Sequence, residues 1–320
     1  MNIPNILFDS RSSQVQIHDQ TGTRLTDLFN AITSTNNKPA WNYTLSGLPK
    51  TPEGEAPSLT SELTNNKSNY NVLCILTRLD QLAPTIAKLG PYPEGSNTPP
   101  FFRIFQQNSF CYSPQEIAAI VGFVNGGGVL LLISDHGPAQ DLVKDNQTIN
   151  DCQLAAAFGV AIEPAMFVNP NGLIEMSGSC FNTNYSGNIL QNVTSVVVHD
   201  CCAIFPFAPN SEIVPIVSLP DGLKNVSPIN NIPPPGTNGE TLAFALCNSS
   251  YKGNIIIAGN SGIAGNADHP YPSQGLFYAT PPAPPLQMPY APLFTAPPLP
   301  AAQNSTFLLN CLAFLAVPNG

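Results

Sequence analysis

One stretch constrains the fold of this chain more than any other: SPQEIAAIVGFVNGGGVLLLISDHGPAQ, residues 113–140. Ser113 offers an N-cap oxygen and Pro114 suits the first position of a helix, so a helix is predicted to begin here. Apolar residues recur at helical spacing until the glycines at 126–128, which end the helix. Five apolar residues follow at 129–133, and a short apolar run behind a helix predicts a parallel strand covered on both faces.

The residues directly after this predicted strand are Asp135, His136 and Gly137. Open α/β sheets bind ligands outside the carboxyl ends of their strands, so this acid and imidazole are candidate ligand-binding residues. An alternative stays open, in which Asp135 caps the turn at Gly137 and His136 is solvated.

The rest of the chain alternates strands with helices and then adds β-rich segments, which favours a single elaborated α/β domain over residues 1–320. Strands are predicted at residues 5–8, 41–45, 71–76, 160–168, 193–199, 212–219, 241–247 and 254–258, and helices at 24–32, 150–158 and 304–315. Residues 46–69 are predicted to be loop. The core is expected at about 1–265 with a closing helix at 304–316, and eleven prolines between 270 and 300 indicate a Pro-rich insertion at 267–303.

Charge and cysteine content limit the function classes. The net charge is −9 with only 11 Lys plus Arg, so no basic stripe is available and nucleic acid is not an expected partner. No run of about 18 apolar residues occurs, so no membrane span is predicted. The eight cysteines lack metal or disulfide spacing and are predicted to be mostly reduced and buried, which favours a cytoplasmic location. Eight Asn-x-Ser/Thr sequons leave an extracellular location open.

Several segments together resemble a known superfamily. They are the first strand ending in Asp (NILFD), the stretch SPQEIAAIVGFVNGGGVLLLISDHG, LAAAFGV, the strand pair LAFALCNSSYKGNIIIAGNSG and the terminal NSTFLLNCLAFLA. They look like the class I glutamine amidotransferase-like superfamily, and most resemble the branch with the intraflagellar-transport-type (GIFT-like) domain. The resemblance implies a flavodoxin-like three-layer fold. Together with the elements predicted from the residues, the fold class is an α/β, flavodoxin-like three-layer sandwich with a mainly parallel sheet, added antiparallel strands and a Pro-rich excursion. It does not imply amidotransferase chemistry.

The nucleophile elbow of true amidotransferases is missing. The elbow has the pattern Gly-x-Cys-x-Gly. Its nearest match here is GSCFN at 178–182, which has Cys180 at the nucleophile position but Asn182 where the second glycine should be. His269-Pro270-Tyr271 resembles the family's His-Pro-Glu ending, with Tyr in place of the acid. An imidazole without an orienting carboxylate is a poor activator of a nucleophile, so a glutaminase that uses Cys180 is the least favoured hypothesis.

Each of the four histidines neighbours an aspartate: His18-Asp19, Asp135-His136, His199-Asp200 and Asp268-His269. Adjacent residues of a strand point to opposite faces, so such a pair can share a ligand only from a loop. That condition favours Asp135-His136 and Asp268-His269, which follow predicted strands. If those two strands are neighbours, both pairs meet at one sheet edge, joined by Asp9. For the other two pairs a purely structural role is favoured.

Two hypotheses follow. The first is a non-catalytic binding or scaffolding domain that holds a small polar ligand or a protein partner, with homo-oligomers through the Pro-rich segment as a further expectation. Its ligand-binding residues are Asp9, Ser10, Asp135, His136, Gly137, Asn260 and Ser261; the last two lie in GNSGIAGN, which could present backbone N–H groups to an anion or be a tight turn. The alternative is a metal-assisted hydrolase or lyase, in which Asp135, His136, Asp268 and His269, with Asp9, bind a divalent ion that activates water.

Overall fold

The structure of the chain is a computed structural model. It describes residues 5–9, 25–34, 41–45, 59–65, 67–76, 112–135, 148–184, 187–206, 213–226, 242–247, 251–264 and 303–316. The Pro-rich insertion and five of the predicted site residues lie outside these ranges: Ser10, His136, Gly137, Asp268 and His269.

The described residues contain twelve named strands. In chain order they are β1 (Asn5–Phe8), β2 (Asn42–Leu45), β3 (Val72–Leu76), β4 (Val129–Ile133), β5 (Val160–Val168), β6 (Ile174–Ser177), β7 (Ser195–Val198), β8 (Asp200–Pro206), β9 (Ile213–Ser218), β10 (Lys224–Asn225), β11 (Leu242–Cys247) and β12 (Ile255–Ala258). Ten of them form one sheet, and β6 and β7 form a separate antiparallel pair.

The centre of the large sheet is five parallel strands in the order β2-β1-β3-β4-β12. The strand order reverses between β1 and β3, as it does in flavodoxin-like folds, where ligands bind at the reversal. Antiparallel strands continue the sheet beyond β12, through β11, β8, β5 and β10, and β9 also pairs with β11. The predicted fold class, a layered α/β fold with a mainly parallel sheet and added antiparallel strands, is confirmed.

In the described ranges, five α-helices cover the two faces of the sheet. They are α1 (Thr26–Thr33), α2 (Leu59–Asn65), α3 (Pro114–Asn125), α4 (Thr148–Ala157) and α5 (Asn304–Ala316). Buried side chains of α1 and α5 share one apolar cluster with the β6–β7 pair, and those of α2, α3 and α4 share the cluster on the other face. Strand β4 is buried at all five positions and alternates between the two clusters. An unbroken apolar strand is the sequence signature of a sheet covered on both faces.

Helix α3 begins and ends as its sequence predicts. Ser113 Oγ accepts the backbone N–H of Glu116 at 3.1 Å, and Glu116 Oε2 accepts the backbone N–H of Ser113 at 3.1 Å, so the two residues form a capping box. After the helix, Gly127 has a φ of +98°, a conformation that side chains with a Cβ rarely adopt. The chain then enters β4 directly.

Two elements correct the sequence-based expectations. Helix α2 lies inside residues 46–69, where a loop was predicted, and buries Leu59 and Leu63 one turn apart. Strand β8 occupies 200–206, between two runs that were predicted to be separated by loop. Its position beside β12 is important for the candidate site.

Six cysteines of the described part are free thiols and all six are buried: Cys74, Cys152, Cys180, Cys201, Cys202 and Cys311. This confirms the prediction of reduced, buried cysteines for those positions. None of the described helices is long and apolar enough to cross a membrane. The single domain over residues 1–320 stays a prediction.

Candidate functional site

The strands before the two favoured acid–imidazole pairs are indeed neighbours. Strands β4 and β12 pair in parallel, with Ile133 opposite Ala258 at their carboxyl ends. The backbone N–H of Ser134 continues the ladder by donating to the carbonyl of Ala258 at 2.7 Å. Asp135 and Asn260 each lie two residues beyond the last paired residue of their strands, and adjacent strands run about 4.8 Å apart. The two residues therefore leave the sheet side by side.

Strand β8 brings a third chain segment to this edge. The backbone N–H of Cys202 donates to the carbonyl of Gly259 at 3.1 Å, so the start of β8 lies directly beside the end of β12. A Cβ on Gly259 would stand 2.7 Å from Cys201 Sγ and 3.1 Å from the Cys202 carbonyl oxygen. Only glycine allows this approach without a shift of the neighbouring chain. The contact places Asp200 next to Asn260. The buried His199 directly precedes Asp200 in the chain.

Asn260 connects β12 to β8 through its side-chain amide. Its Nδ2 donates to the Asp200 carbonyl oxygen at 2.7 Å and to Asp200 Oδ1 at 2.9 Å, and these two bonds determine which way the amide faces. Asn260 is only 3% exposed, and within the described part of the chain its Oδ1 has no hydrogen-bond partner. A buried carbonyl oxygen without a donor costs on the order of 1–3 kcal/mol, so its place in the fold calls for an explanation.

Helix α4 adds a fourth segment through a buried hydrogen bond. Ser134 Oγ donates to Asp151 Oδ2 at 2.9 Å, and both residues are fully buried. Asp151 lies in the first turn of α4, where a carboxylate is favoured by the helix dipole. The bond ties the end of β4 to the start of that helix.

Two buried thiols at this edge are each influenced by more than one of these acids. Burial raises the pKa of Cys201 well above its ordinary range, and the carboxylates of Asp200 and Asp135 raise it further. Burial also raises the pKa of Cys202, with added contributions from the neighbouring thiols and from Asp135 and Asp151. These thiols stay protonated and are poor nucleophiles, which argues against redox chemistry at the Cys201-Cys202 pair. We call the grouped residues the carboxyl-edge cluster: Ser134, Asp135, Asp151, Asp200, Cys201, Cys202 and Asn260.

Asp9 lies at the same edge of the sheet, at the end of β1. It is fully buried, and its backbone N–H donates to the carbonyl of Cys74 at 3.0 Å. Strand β3 stands between β1 and β4, so Asp9 leaves the sheet about two strand spacings from Asp135.

Of the predicted ligand-binding residues, the structure describes Asp9, Asp135, Asn260 and the backbone of Ser261, which begins the one-turn 3₁₀ helix Ser261–Ala264. Asp135 is 7% exposed. Of the four predicted metal ligands it describes Asp135, and within the described ranges no three His, Cys, Asp or Glu side chains are arranged to hold a metal ion. The roles of all these residues stay predictions.

Sequence reasoning passed over four residues at this edge: Ser134, Asp151, His199 and Asp200. The His199-Asp200 adjacency was noticed and set aside because the position of its strand was unknown. Asp151 carried no signal of its own, since its bond to Ser134 spans 17 residues of chain.

Cys180 lies in a different setting from an amidotransferase nucleophile. It ends the 3₁₀ helix Gly178–Cys180, which follows β6 of the separate antiparallel pair and no strand of the parallel sheet. Burial raises the pKa of its thiol, a backbone hydrogen bond from Ser177 lowers it, and the carboxylates of Asp221 and Glu175 raise it. The described groups that act on this thiol include no base that could activate it.

Comparison with known proteins gives a likeness at the level of fold. No known protein-family profile matches the chain, and no curated protein matches it. Among solved structures, the mmIFT52 N-terminal domain superposes with a TM-score of 0.53 at 11% identity, over 99% of each chain. A cytoplasmic protein from Salmonella typhimurium LT2 superposes with a TM-score of 0.45 at 12% identity, and the match covers 97% of this chain and 99% of that protein. A putative ThuA-like protein from Bacteroides uniformis superposes with a TM-score of 0.38 at 12% identity, and the match covers 82% of this chain and 85% of that protein. The chain therefore shares the overall fold of the mmIFT52 N-terminal domain, and its layered α/β architecture is the one that the sequence resemblance implies.

Proposed function

We propose that this chain is a non-catalytic binding or scaffolding domain on an amidotransferase-like fold, which holds a small polar ligand or a protein partner at the carboxyl edge of its sheet. The observation that carries the proposal is the buried Oδ1 of Asn260, an acceptor that the described protein groups leave unused. It lies where β4 and β12, buried and apolar along their whole length, give way to polar residues. Such a change of character at strand ends is typical of ligand sites in α/β proteins.

The surroundings of Cys180 favour binding over amidotransferase chemistry. Acyl transfer needs a thiolate next to a base, whereas this thiol is buried near two carboxylates that disfavour its ionisation. Reaction of the folded chain with a glutamine-like chloroketone should leave Cys180 unlabelled in an intact-mass measurement. Stoichiometric labelling at Cys180 would replace the proposal with a glutaminase.

The full-length likeness to the mmIFT52 N-terminal domain adds support for a scaffolding role, in line with the sequence resemblance to the intraflagellar-transport-type branch. The corresponding test is hydrogen exchange of the full chain with and without a candidate ligand or partner. Binding at the carboxyl edge should make the Ser134 and Cys202 amides exchange more slowly than they do in the unbound chain. Protection confined to other segments would place the binding surface elsewhere and contradict the proposal.

Elemental analysis of the purified chain distinguishes the binding proposal from the metal-assisted hydrolase. The binding proposal expects no stoichiometric zinc, manganese or iron. A full equivalent of one of these metals that is lost in His136→Ala, but retained in the Glu175→Gln control, would favour the enzyme.

A further inference from the structure

We infer that the ligand held at the carboxyl edge is uncharged and donates a hydroxyl or amide hydrogen to Asn260 Oδ1. The inference rests on the proposed binding function and names the chemistry of its ligand. Two observations carry it: the fixed orientation of the buried Asn260 amide, and a carbonyl oxygen for which the described residues supply no donor.

Two hydrogen bonds to Asp200 select one of the two orientations of the Asn260 amide. Its Nδ2 lies 2.7 Å from the Asp200 carbonyl oxygen and 2.9 Å from Asp200 Oδ1, and both of these oxygens are acceptors. A flipped amide would set Oδ1 against two acceptors and lose both bonds. The nitrogen is therefore engaged within the chain, and the atom left for a ligand is Oδ1.

A buried carbonyl oxygen needs a hydrogen-bond donor, and this need disfavours two classes of ligand. A carboxylate or sulfate ligand brings acceptors only. A divalent metal ion takes about four to eight ligands, and the described ranges contain no group of three acids, histidines or cysteines arranged to hold one. The described residues therefore favour a ligand with an N–H or O–H group.

The burial of Asn260 decides between an uncharged donor and a cation. The residue is 3% exposed, at the ends of two strands that are buried and apolar along their length. The nearby acids are already engaged, because Asp200 accepts from Asn260, Asp151 accepts from Ser134, and Asp135 has an interaction of its own. A cation would exchange its hydration for one neutral carbonyl, which costs far more than the burial of a hydroxyl or amide.

The test uses two pairs of isomers that differ in their hydrogen-bond donors. Isobutyramide and butane-1,4-diol have N–H or O–H groups, whereas their isomers N,N-dimethylacetamide and 1,2-dimethoxyethane have none. Each is titrated into the full chain while ¹H–¹⁵N spectra follow the side-chain amide of Asn260. We expect a saturable shift with the amide or the diol, and at most about a tenth of that affinity for its isomer, the order of one hydrogen bond. The stronger of the two distinguishes an amide donor from a hydroxyl donor.

Asn304 is the internal control in the same spectra, because both ends of this buried amide are bonded to the Val197 backbone. Its resonances should not shift with any probe. Asn260→Ala should remove the Asn260 resonances and abolish binding. Asn310→Ala is the matched variant, since Asn310 Nδ2 also makes two hydrogen bonds but lies on α5, and its affinity should equal that of the parent chain. If Asn260→Ala does not fold, the comparison of isomers on the parent chain decides alone.

Two results would overturn the inference: no shift of the Asn260 resonances with either donor-bearing isomer, or equal affinity for both members of each pair. The first means that a buried water satisfies Oδ1 and is not displaced. Sodium acetate and methylammonium chloride, run in parallel, separate this failure from that of the broader proposal. If either salt slows hydrogen exchange of the Ser134 and Cys202 amides while the uncharged probes do not, the binding edge stands and the uncharged-donor assignment falls.

Discussion

At the scale of single residues, the candidate site depends on the absence of a side chain at Gly259. We expect Gly259→Ala to lower the free energy of unfolding by about 1–3 kcal/mol, because the new methyl group would overlap Cys201 Sγ and crowd the Cys202 backbone. Urea unfolding measures the loss. Gly122→Ala is the matched control, since a Cβ there has no neighbour within 4 Å and the position is helical. The control should be neutral or stabilising by up to about 1 kcal/mol. Equal behaviour of the two variants would mean that β8 does not approach β12 this closely.

Because burial raises the pKa of the buried thiols, the folded chain is expected to lose stability at alkaline pH. Burial raises the pKa of Cys311 above its ordinary value, so the folded chain keeps a proton that the unfolded chain releases. Its contribution is complete below pH ~8.5 and is lost as the pH rises beyond that value, by up to about 1.4 kcal/mol per pH unit. Cys311→Ala should therefore make the fall in unfolding free energy between pH 8 and 10 less steep. Leu312→Ala, a buried neighbour without a titrating group, should lower stability and leave the slope unchanged. An unchanged slope in Cys311→Ala would contradict the assignment.

Residue-level prediction from sequence succeeded where one strand carries its own signal and failed where two distant segments meet. Asp135 follows an unmistakable buried strand, so its position at the sheet edge was predicted. Asn260 was singled out for a possible anion-binding turn, whereas its amide bonds to Asp200, 60 residues earlier. No local pattern encodes that pairing, because it depends on the register of β8 beside β12.

At the scale of elements, α3 is the clearest case of a helix specified by its own ends. Ser113→Ala removes the acceptor for the Glu116 backbone N–H and should cost about 1 kcal/mol in unfolding free energy. Because the capping box is reciprocal, Glu116→Ala should lose less in the Ser113→Ala background than in the parent chain. Urea unfolding of the four chains closes this double-mutant cycle. Strict additivity of the two changes would show that the box is not formed in solution.

The elements that sequence reasoning missed are short or lack periodicity. Helix α2 has seven residues and only two apolar side chains, too few to establish a helical repeat in a segment rich in Ser, Thr and Asn. Strand β8 begins at the polar Asp200 and ends at Pro206, so its apolar middle was taken as part of a loop. Both elements are stabilised by tertiary packing more than by local propensity.

In the closing helix α5, the glycosylation motif that begins at Asn304 conflicts with the buried position of that residue. Asn304 begins a sequon, yet it is fully buried. Its Oδ1 accepts the Val197 backbone N–H at 2.9 Å, and its Nδ2 donates to the Val197 carbonyl at 2.8 Å. The amide thus pairs with β7 as a strand residue would. A side chain used in this way is not accessible for glycosylation in the folded chain.

At the scale of the whole molecule, the mainly parallel sheet and the presence of added antiparallel strands were predicted, whereas the place where those strands meet the parallel ones could not be derived. Buried apolar strands with helices between them predict a parallel sheet. These patterns do not predict that β8, which pairs with β5 along its length, also approaches the carboxyl end of β12. The candidate site arises from that approach, which is why the sequence located the edge of the sheet and not the residues that complete it.

The single domain predicted over residues 1–320 has a direct test in the cooperativity of unfolding. Trp41, the only tryptophan, precedes the edge strand β2, and its backbone N–H donates to Ile32 in α1. Gly259 lies at the end of β12, which β4, β3 and β1 separate from β2. In one cooperative domain, Trp41 fluorescence, far-ultraviolet circular dichroism and the exposure of Cys201 to a thiol reagent share one urea midpoint. Gly259→Ala should then shift all three midpoints equally, although Gly259 and Trp41 lie at opposite sides of the five parallel strands. A fluorescence midpoint that stays at its parent value while the thiol midpoint falls would divide the chain into at least two folding units.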